Sequence, residues 1–316
     1  MFKIVDFNKS HIEEAKKLAL LNYNEEWHAV KDLPYVDEVP DLNGFVKNEL
    51  GVAMFDNDTM IGFLCCHDPW ENAFTTAARG TFSPIHAHGA IFKDRSAVYK
   101  KLYQAAAEKW VKKGISSHSM GLYAHDAGAI DAFFHYGFGL RCIDAIRPLT
   151  VLECTACDSH IGFEEIPKHE EIKIRELRYL LHDHLAQSPC FMYSSPEKYE
   201  HWIKRAETRD SRVFIAKQKE KIIAYLEIID EGENFATEVR DMMNICGAFC
   251  FPEYRGKGIV QNLLNFIIVQ LKAEGYERLG VDFESINAAA SGFWLKYFTA
   301  YTNGVVRRID ENVLNK

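Results

Sequence analysis

Apolar and polar positions alternate along this chain in two rhythms, and the succession of rhythms is written twice. Val52 to Leu64 (VAMFDNDTMIGFL) and Val213 to Leu226 (VFIAKQKEKIIAYL) each read as two short strands around a polar turn, a β-hairpin. Later come two long stretches with apolar residues at helical spacing, Ser96 to Lys113 and Lys257 to Glu274. The second carries Ile259, Leu263, Phe266 or Ile267, and Leu271 on one face. A glycine closes each, Gly114 and Gly275, 161 residues apart, where a left-handed C-terminal residue is needed. Strand-like runs follow, Ile115 to His125 and Tyr276 to Ile286. The same offset then aligns Asp126 with Asn287, Ala129 with Ala290, Phe133 with Trp294 and Tyr136 with Tyr297. Asp and Asn are both good N-caps, so each is expected to open a helix.

Helical patterns at His11 to Asn24 and Ile172 to Leu185 precede the hairpins, so one element order serves both halves. It runs extended entry, helix, helix, hairpin, strand, long helix, strand, helix, strand. This predicts an α/β (α+β) fold built twice, each copy a mixed, mostly antiparallel sheet flanked by helices. Thr150 to Glu170, polar and containing Pro167, is the natural junction, giving domains at 1–152 and 153–316.

Composition narrows the function classes. The 316 residues are 47% hydrophobic and 26% charged, ordinary for a globular protein. A net charge of -8 and the lack of a basic run argue against nucleic acid as a partner. No stretch approaches the ~20 apolar residues of a membrane span, and the N-terminus has no signal-like apolar segment, so a cytoplasmic protein is expected. The eight cysteines are unevenly spread and read as reduced thiols. Cys154, Cys157 and His160 have the spacing of half a zinc site without a second half, and are read as linker residues.

Most of the candidate chemistry lies in Phe249 to Val260, FCFPEYRGKGIV. A strand end, a glycine turn and a helix start bring free backbone N–H groups onto an anion. A nucleotide-hydrolase P-loop is excluded because Lys257 is followed by Gly258 and not by Ser or Thr. A dinucleotide fingerprint lacks its third glycine.

The run from Cys250 to Val260 followed by Leu263-Leu264 resembles the acetyl-CoA loop of the GNAT superfamily of N-acetyltransferases, whose motif is Q/R-x-x-G-x-G/A. Arg255 and Gly258 fill its first two fixed positions, while Val260 stands where Gly or Ala is expected. The segment from Asn287 to Trp294 resembles the family's later N-x-x-A-x-x-F-Y stretch, with Trp294 in place of Tyr. The resemblance covers Ile172 to Asp310 and implies acetyl transfer from acetyl-CoA to a primary amine by direct attack, without metal. It implies that Arg255, Gly256, Lys257, Gly258, Ile259 and Val260 bind the pyrophosphate. The strand edge through Phe249, Cys250 and Phe251 would pair with the pantetheine arm, and Asn287 and Phe293 would lie near the thiol.

Such a reaction needs a base for the amine and an acid for the departing thiolate. Glu284, at the end of a strand, is the candidate base, with Asp282 two residues away on the same face. Tyr297, one turn beyond Trp294, is the candidate acid, and Tyr301 a second. Cys246 and Cys250 in an apolar strand read as core thiols. The acidic stretch Asp230 to Asn234, with Glu238 and Asp241, would border an acceptor groove and attract a cationic amine. Small-molecule or peptide amines are the expected partners, and a homodimer stays open. A non-catalytic acyl-CoA-binding or regulatory module is the alternative, because of Val260 and Trp294.

The first half keeps the scaffold and loses this chemistry. At the common offset Asp94 to Tyr99 replaces Arg255 to Val260, without either glycine, so CoA binding in the same manner is not expected there. Its distinctive piece is Ser83 to Ala90, where His86 and His88 are expected on one strand face. They are read as hydrogen-bonded or interface residues and not as metal ligands.

Overall fold

The computed structural model describes residues 2–153 and 157–315, so Cys154 of the Cys154/Cys157/His160 group lies outside the described residues. Two compact units emerge, residues 1–144 with 300–316 and residues 145–299. In chain order the first half contains β1 (Phe2–Asp6), α1 (Ile12–Ala29), α2 (Asn43–Val46), β2 (Val52–Asp56), β3 (Thr59–Leu64), β4 (Gly80–Ser83) and β5 (His88–Ala90). α3 (Arg95–Lys112), β6 (Ser117–Tyr123), α4 (Ala127–His135) and β7 (Gly139–Pro148) complete it. The second half contains β8 (Ile161–Ile166), α5 (Arg175–Ala186), α6 (Pro196–Thr208), β9 (Arg212–Gln218), β10 (Lys221–Ile229) and β11 (Met242–Cys250). It ends with α7 (Ile259–Glu274), β12 (Arg278–Glu284), α8 (Ala288–Tyr297) and β13 (Thr299–Arg308). The doubled element order is the one the sequence repeat predicts, except that two short strands, β4 and β5, precede the long helix of the first half.

In the second unit β8, β9, β10 and β11 are antiparallel neighbours, and β12 joins β11 in parallel. α7 packs its apolar stripe, Leu263, Leu264, Ile267, Ile268 and Leu271, into the core. Gly258 (φ 75°) and Gly275 (φ 94°) stand at its two ends in the left-handed conformation that glycine adopts without steric cost. The sequence pattern places Lys257 and Gly258 inside this helix. The left-handed backbone at Gly258 instead delays its start to Ile259.

The first unit's sheet region differs where the sequence differs. What is one strand in the second unit is here two pieces, β4 paired with β6 and β5 paired with β3. Pro84, which has no N–H to give a ladder, begins the break. His86 therefore lies in a turn and His88 in β5, and the expectation that they share one strand face is corrected. His88 is buried between the Tyr99 hydroxyl at 3.0 Å and the Gly121 carbonyl at 2.6 Å, and burial lowers its pKa to about 4. His118 is likewise buried, 2.8 Å from the Tyr103 hydroxyl. Among the described residues no group of three or more His, Cys, Asp or Glu could hold a metal ion.

The last strand of the chain belongs to the first unit. β13 pairs antiparallel with β6 from Thr302↔Tyr123 to Arg308↔Ser117. Residues 145–148 of β7 belong to the second unit, where β7 neighbours β12. The repeat boundary at 152/153 accordingly falls inside the second compact unit. Among the described residues no helix is long and apolar enough to cross a membrane.

Candidate active site

The second unit's cleft is made by a strand that loses one neighbour. β11 and β12 stay in register only from Met242↔Arg278 to Ile245↔Val281. Beyond this, β11 continues to Cys250 beside β10 alone, leaving its other edge unpaired in the ladder. A bulge sits at the divergence: Glu227 faces Gly247 and Ile228 faces Ile245, so Cys246 drops out of register with β10. The free N–H and C=O groups of such an edge can accept an added strand.

The chain then turns at Pro252 to Tyr254 into the glycine loop. The Arg255 side chain folds back, its Nε donating to the Cys250 carbonyl at 2.9 Å. Gly256 (φ 73°) and Gly258 (φ 75°) are both left-handed, and α7 starts without a side-chain cap. Its first N–H groups are therefore available to an anion, and the helix dipole favours one there. On the far wall α8 begins at Asn287, whose side chain accepts from the Ala290 N–H at 3.3 Å.

A cavity of about 500 Å³ joins these parts. It is lined by Phe249, Cys250, Arg255, Gly256, Gly258, Ile259 and Val260 from the strand and loop, and by Asn287, Phe293 and Tyr297 from the α8 side. Phe251, Lys257 and Glu284 are not among its lining residues. Phe251 continues the strand by one bond to the Ile223 carbonyl, and Lys257 lies exposed over the Tyr254 ring at 5.7 Å. Glu284 ends β12 half-buried, its carbonyl accepting from the Asn287 N–H at 3.0 Å. Asp282 is hydrogen-bonded to Glu233 of the acidic loop. Asp241, read from sequence as part of that acidic border, pairs with Arg278.

Sequence reasoning missed Leu181 and His184 of α5, which also line the cavity. They lie three residues apart on a helix with no motif, and only packing tells which face looks inward. Tyr254, between the strand and the glycines, lines the cavity as well, and its place inside the loop motif is the signal for it. Trp294 is buried, stacked edge-on against Phe298 at 5.5 Å, while Tyr297 packs against Phe293 at 5.1 Å. Burial pushes the Cys246 thiol up to about 12 and Cys250 up to about 11. Both are protonated at neutral pH and poor nucleophiles.

The cap at α8 gives a measurable consequence. Asn287→Ala is expected to cost about 1 kcal/mol of stability in urea unfolding. Asn287→Asp should cost little, since Asp126 caps α4 in the same way, accepting from the Ala129 N–H at 2.9 Å.

A mixed sheet flanked by helices in an element order that occurs twice, opening in the second unit beside a glycine turn and an uncapped helix, defines the class as a GNAT fold. Residues 178–298 match the model of the acetyltransferase (GNAT) family, and this stretch is a GNAT-family domain. A GCN5-related N-acetyltransferase from Sphaerobacter thermophilus superposes with a TM-score of 0.59 at 10% identity, covering 97% of this chain and 95% of that one. A GCN5-related glucosamine N-acetyltransferase region of a fungal multi-domain GH3 β-N-acetylglucosaminidase gives 0.50 at 14% identity, over 97% of this chain and 38% of that one. At these identities the likeness is one of fold. No curated protein matches the chain in sequence.

Proposed function

We propose that the second unit is an N-acetyltransferase that binds acetyl-CoA in the 500 Å³ cleft and passes the acetyl group directly to a primary amine. The observation that carries this reading is the convergence of three anion- and strand-binding devices on one cavity. They are the freed β11 edge, the left-handed pair Gly256 and Gly258, and the uncapped start of α7. Pyrophosphate would take the α7 N–H groups, with Arg255 and Lys257 supplying positive charge. The pantetheine arm would lie along Phe249 and Cys250, bringing the thioester toward Asn287, Phe293 and Tyr297.

For the chemistry, the Tyr297 hydroxyl is the group proposed to protonate the leaving thiolate, since it lines the cavity on the α8 side. Glu284, set back from the cavity wall, is proposed to take the amine proton through water. The test pairs calorimetric titration with CoA and a thiol-release assay over a panel of primary amines. Tyr297→Phe and Glu284→Gln are expected to keep CoA affinity within about threefold and to lower kcat by about 10²-fold or more. Unchanged turnover removes the residue from the mechanism. Val260 lines the cavity where the family motif has Gly or Ala, and this favours a second reading as a non-catalytic CoA-binding module. CoA binding with no turnover on any amine would support that reading.

A further inference from the structure

The first unit also has a cleft, a cavity of about 720 Å³, within the range of small-molecule sites. Its walls come from the last turns of α1, the start of α3 and the turn between β6 and α4. Two features turn it away from a CoA-like ligand. The Asn22 side chain donates to the Ala90 carbonyl and accepts from the Ala90 N–H, both at 3.0 Å, occupying the edge of β5 that an added strand would use. At the start of α3, Asp94 (φ 53°) holds the left-handed cap position that Gly258 (φ 75°) holds before α7. Read at the common sequence offset, Ala97 would face Gly258. In the structure α3 begins earlier, so an anionic side chain replaces the glycine at the cap itself.

The charge around this cavity is the reverse of that in the second unit. Glu25, Glu26, Asp94 and Asp126 line it. Arg95 is shared between two of them, donating to both oxygens of Glu25 at 2.6 and 2.9 Å and to Asp126 at 3.2 Å. Lys100 lines the cavity too, and lies 3.0 Å from Asp131, which is outside the lining and offsets part of its charge. Glu26, 2% exposed, accepts from the His125 N–H at 3.1 Å and lies 2.7 Å from its ring. Tyr123 lines the same cavity at 3% exposure, and its hydroxyl has no hydrogen-bond partner among the described residues. Buried hydroxyls are rarely left so, because the lost hydration is not repaid. A concave site with excess carboxylate and an unpaired oxygen attracts a donor-bearing cation. Phe92, 81% exposed, also lines the cavity, with the Arg95 guanidinium 5.7 Å from its ring.

We propose that this cleft binds a small organic cation, a primary alkylammonium or a short diamine, held by Glu26, Asp94 and the Tyr123 hydroxyl. The site is independent of acetyl transfer in the second unit. Calorimetric titration of the full chain with ethylamine and 1,4-diaminobutane tests it, with sodium acetate as the anion control and CoA as the control for the other cleft. Saturable amine binding is expected, weakened about tenfold or more by Glu26→Gln and by Asp94→Asn, with CoA affinity unchanged. If circular dichroism shows that Glu26→Gln fails to fold, the exposed Asp94→Asn decides alone. The proposal is overturned by no saturable amine binding, by amine binding that survives these substitutions, or by acetate binding more tightly than either amine.

Discussion

Gly258→Asp is expected to weaken CoA binding by roughly 100-fold, about 2.7 kcal/mol, while leaving the protein folded. Two effects act together at one backbone position. Gly258 holds φ 75°, which a residue with a Cβ adopts only with strain. More importantly, the new carboxylate would stand at the N-terminus of α7, where free N–H groups and the helix dipole are proposed to meet a pyrophosphate. The first unit supplies the natural control. Asp94 caps α3 at φ 53°, so an aspartate can occupy this conformation and still start a helix of 18 residues. Melting of Gly258→Asp should therefore stay close to wild type while the calorimetric Kd for CoA rises. Gly258→Ala, with strain but no charge, is expected to lose about tenfold. A Kd for Gly258→Asp within threefold of wild type would remove the glycine turn from cosubstrate binding.

Asp94 also shows where the sequence could be read and where it could not. The repeat, the hairpins and the paired caps Asp126 and Asn287 were legible because each rests on local chemistry: a period, a turn or a side chain that accepts from the third N–H. The glycine turn was legible for the same reason. The start of α3 was legible to within one residue, Ser96 against Arg95, but its cap was not, because alignment at a fixed offset puts Ala97 opposite Gly258 and misses Asp94. The break between β4 and β5 could have been suspected from Pro84, but the fate of the two pieces depends on separate partners, β6 and β3. Placement of β13 beside β6 is a long-range pairing with no local signal. Leu181 and His184 were missed because a helix without a motif does not declare which face meets a cavity.

The largest effect on stability is expected at Arg178, and it reaches the site through the bulge. Arg178 is fully buried, its Nη2 3.0 Å from Glu227 and 3.3 Å from Glu171, carboxylates themselves only 1% and 3% exposed. Arg209 reaches Glu227 from the surface at 3.5 Å. A buried pair of this kind adds little over an apolar core while intact, but losing one member strands the other charge. Arg178→Met should cost the second unit about 3–5 kcal/mol, read as an earlier urea transition. Arg178→Met/Glu227→Gln should recover part of this, because the stranded carboxylate is gone. Glu227 lies opposite Gly247, where a Cβ would come within 3.3 Å of its carboxylate. The ion pair thus fixes the strand segment at which Cys246 drops out of register and β11 parts from β12. If that is its role, the double variant should remain weakened in CoA binding even where its stability returns. Recovery of both together would make the network a packing element alone, and a loss below 1 kcal/mol for Arg178→Met would show that Arg209 and water suffice to hold Glu227.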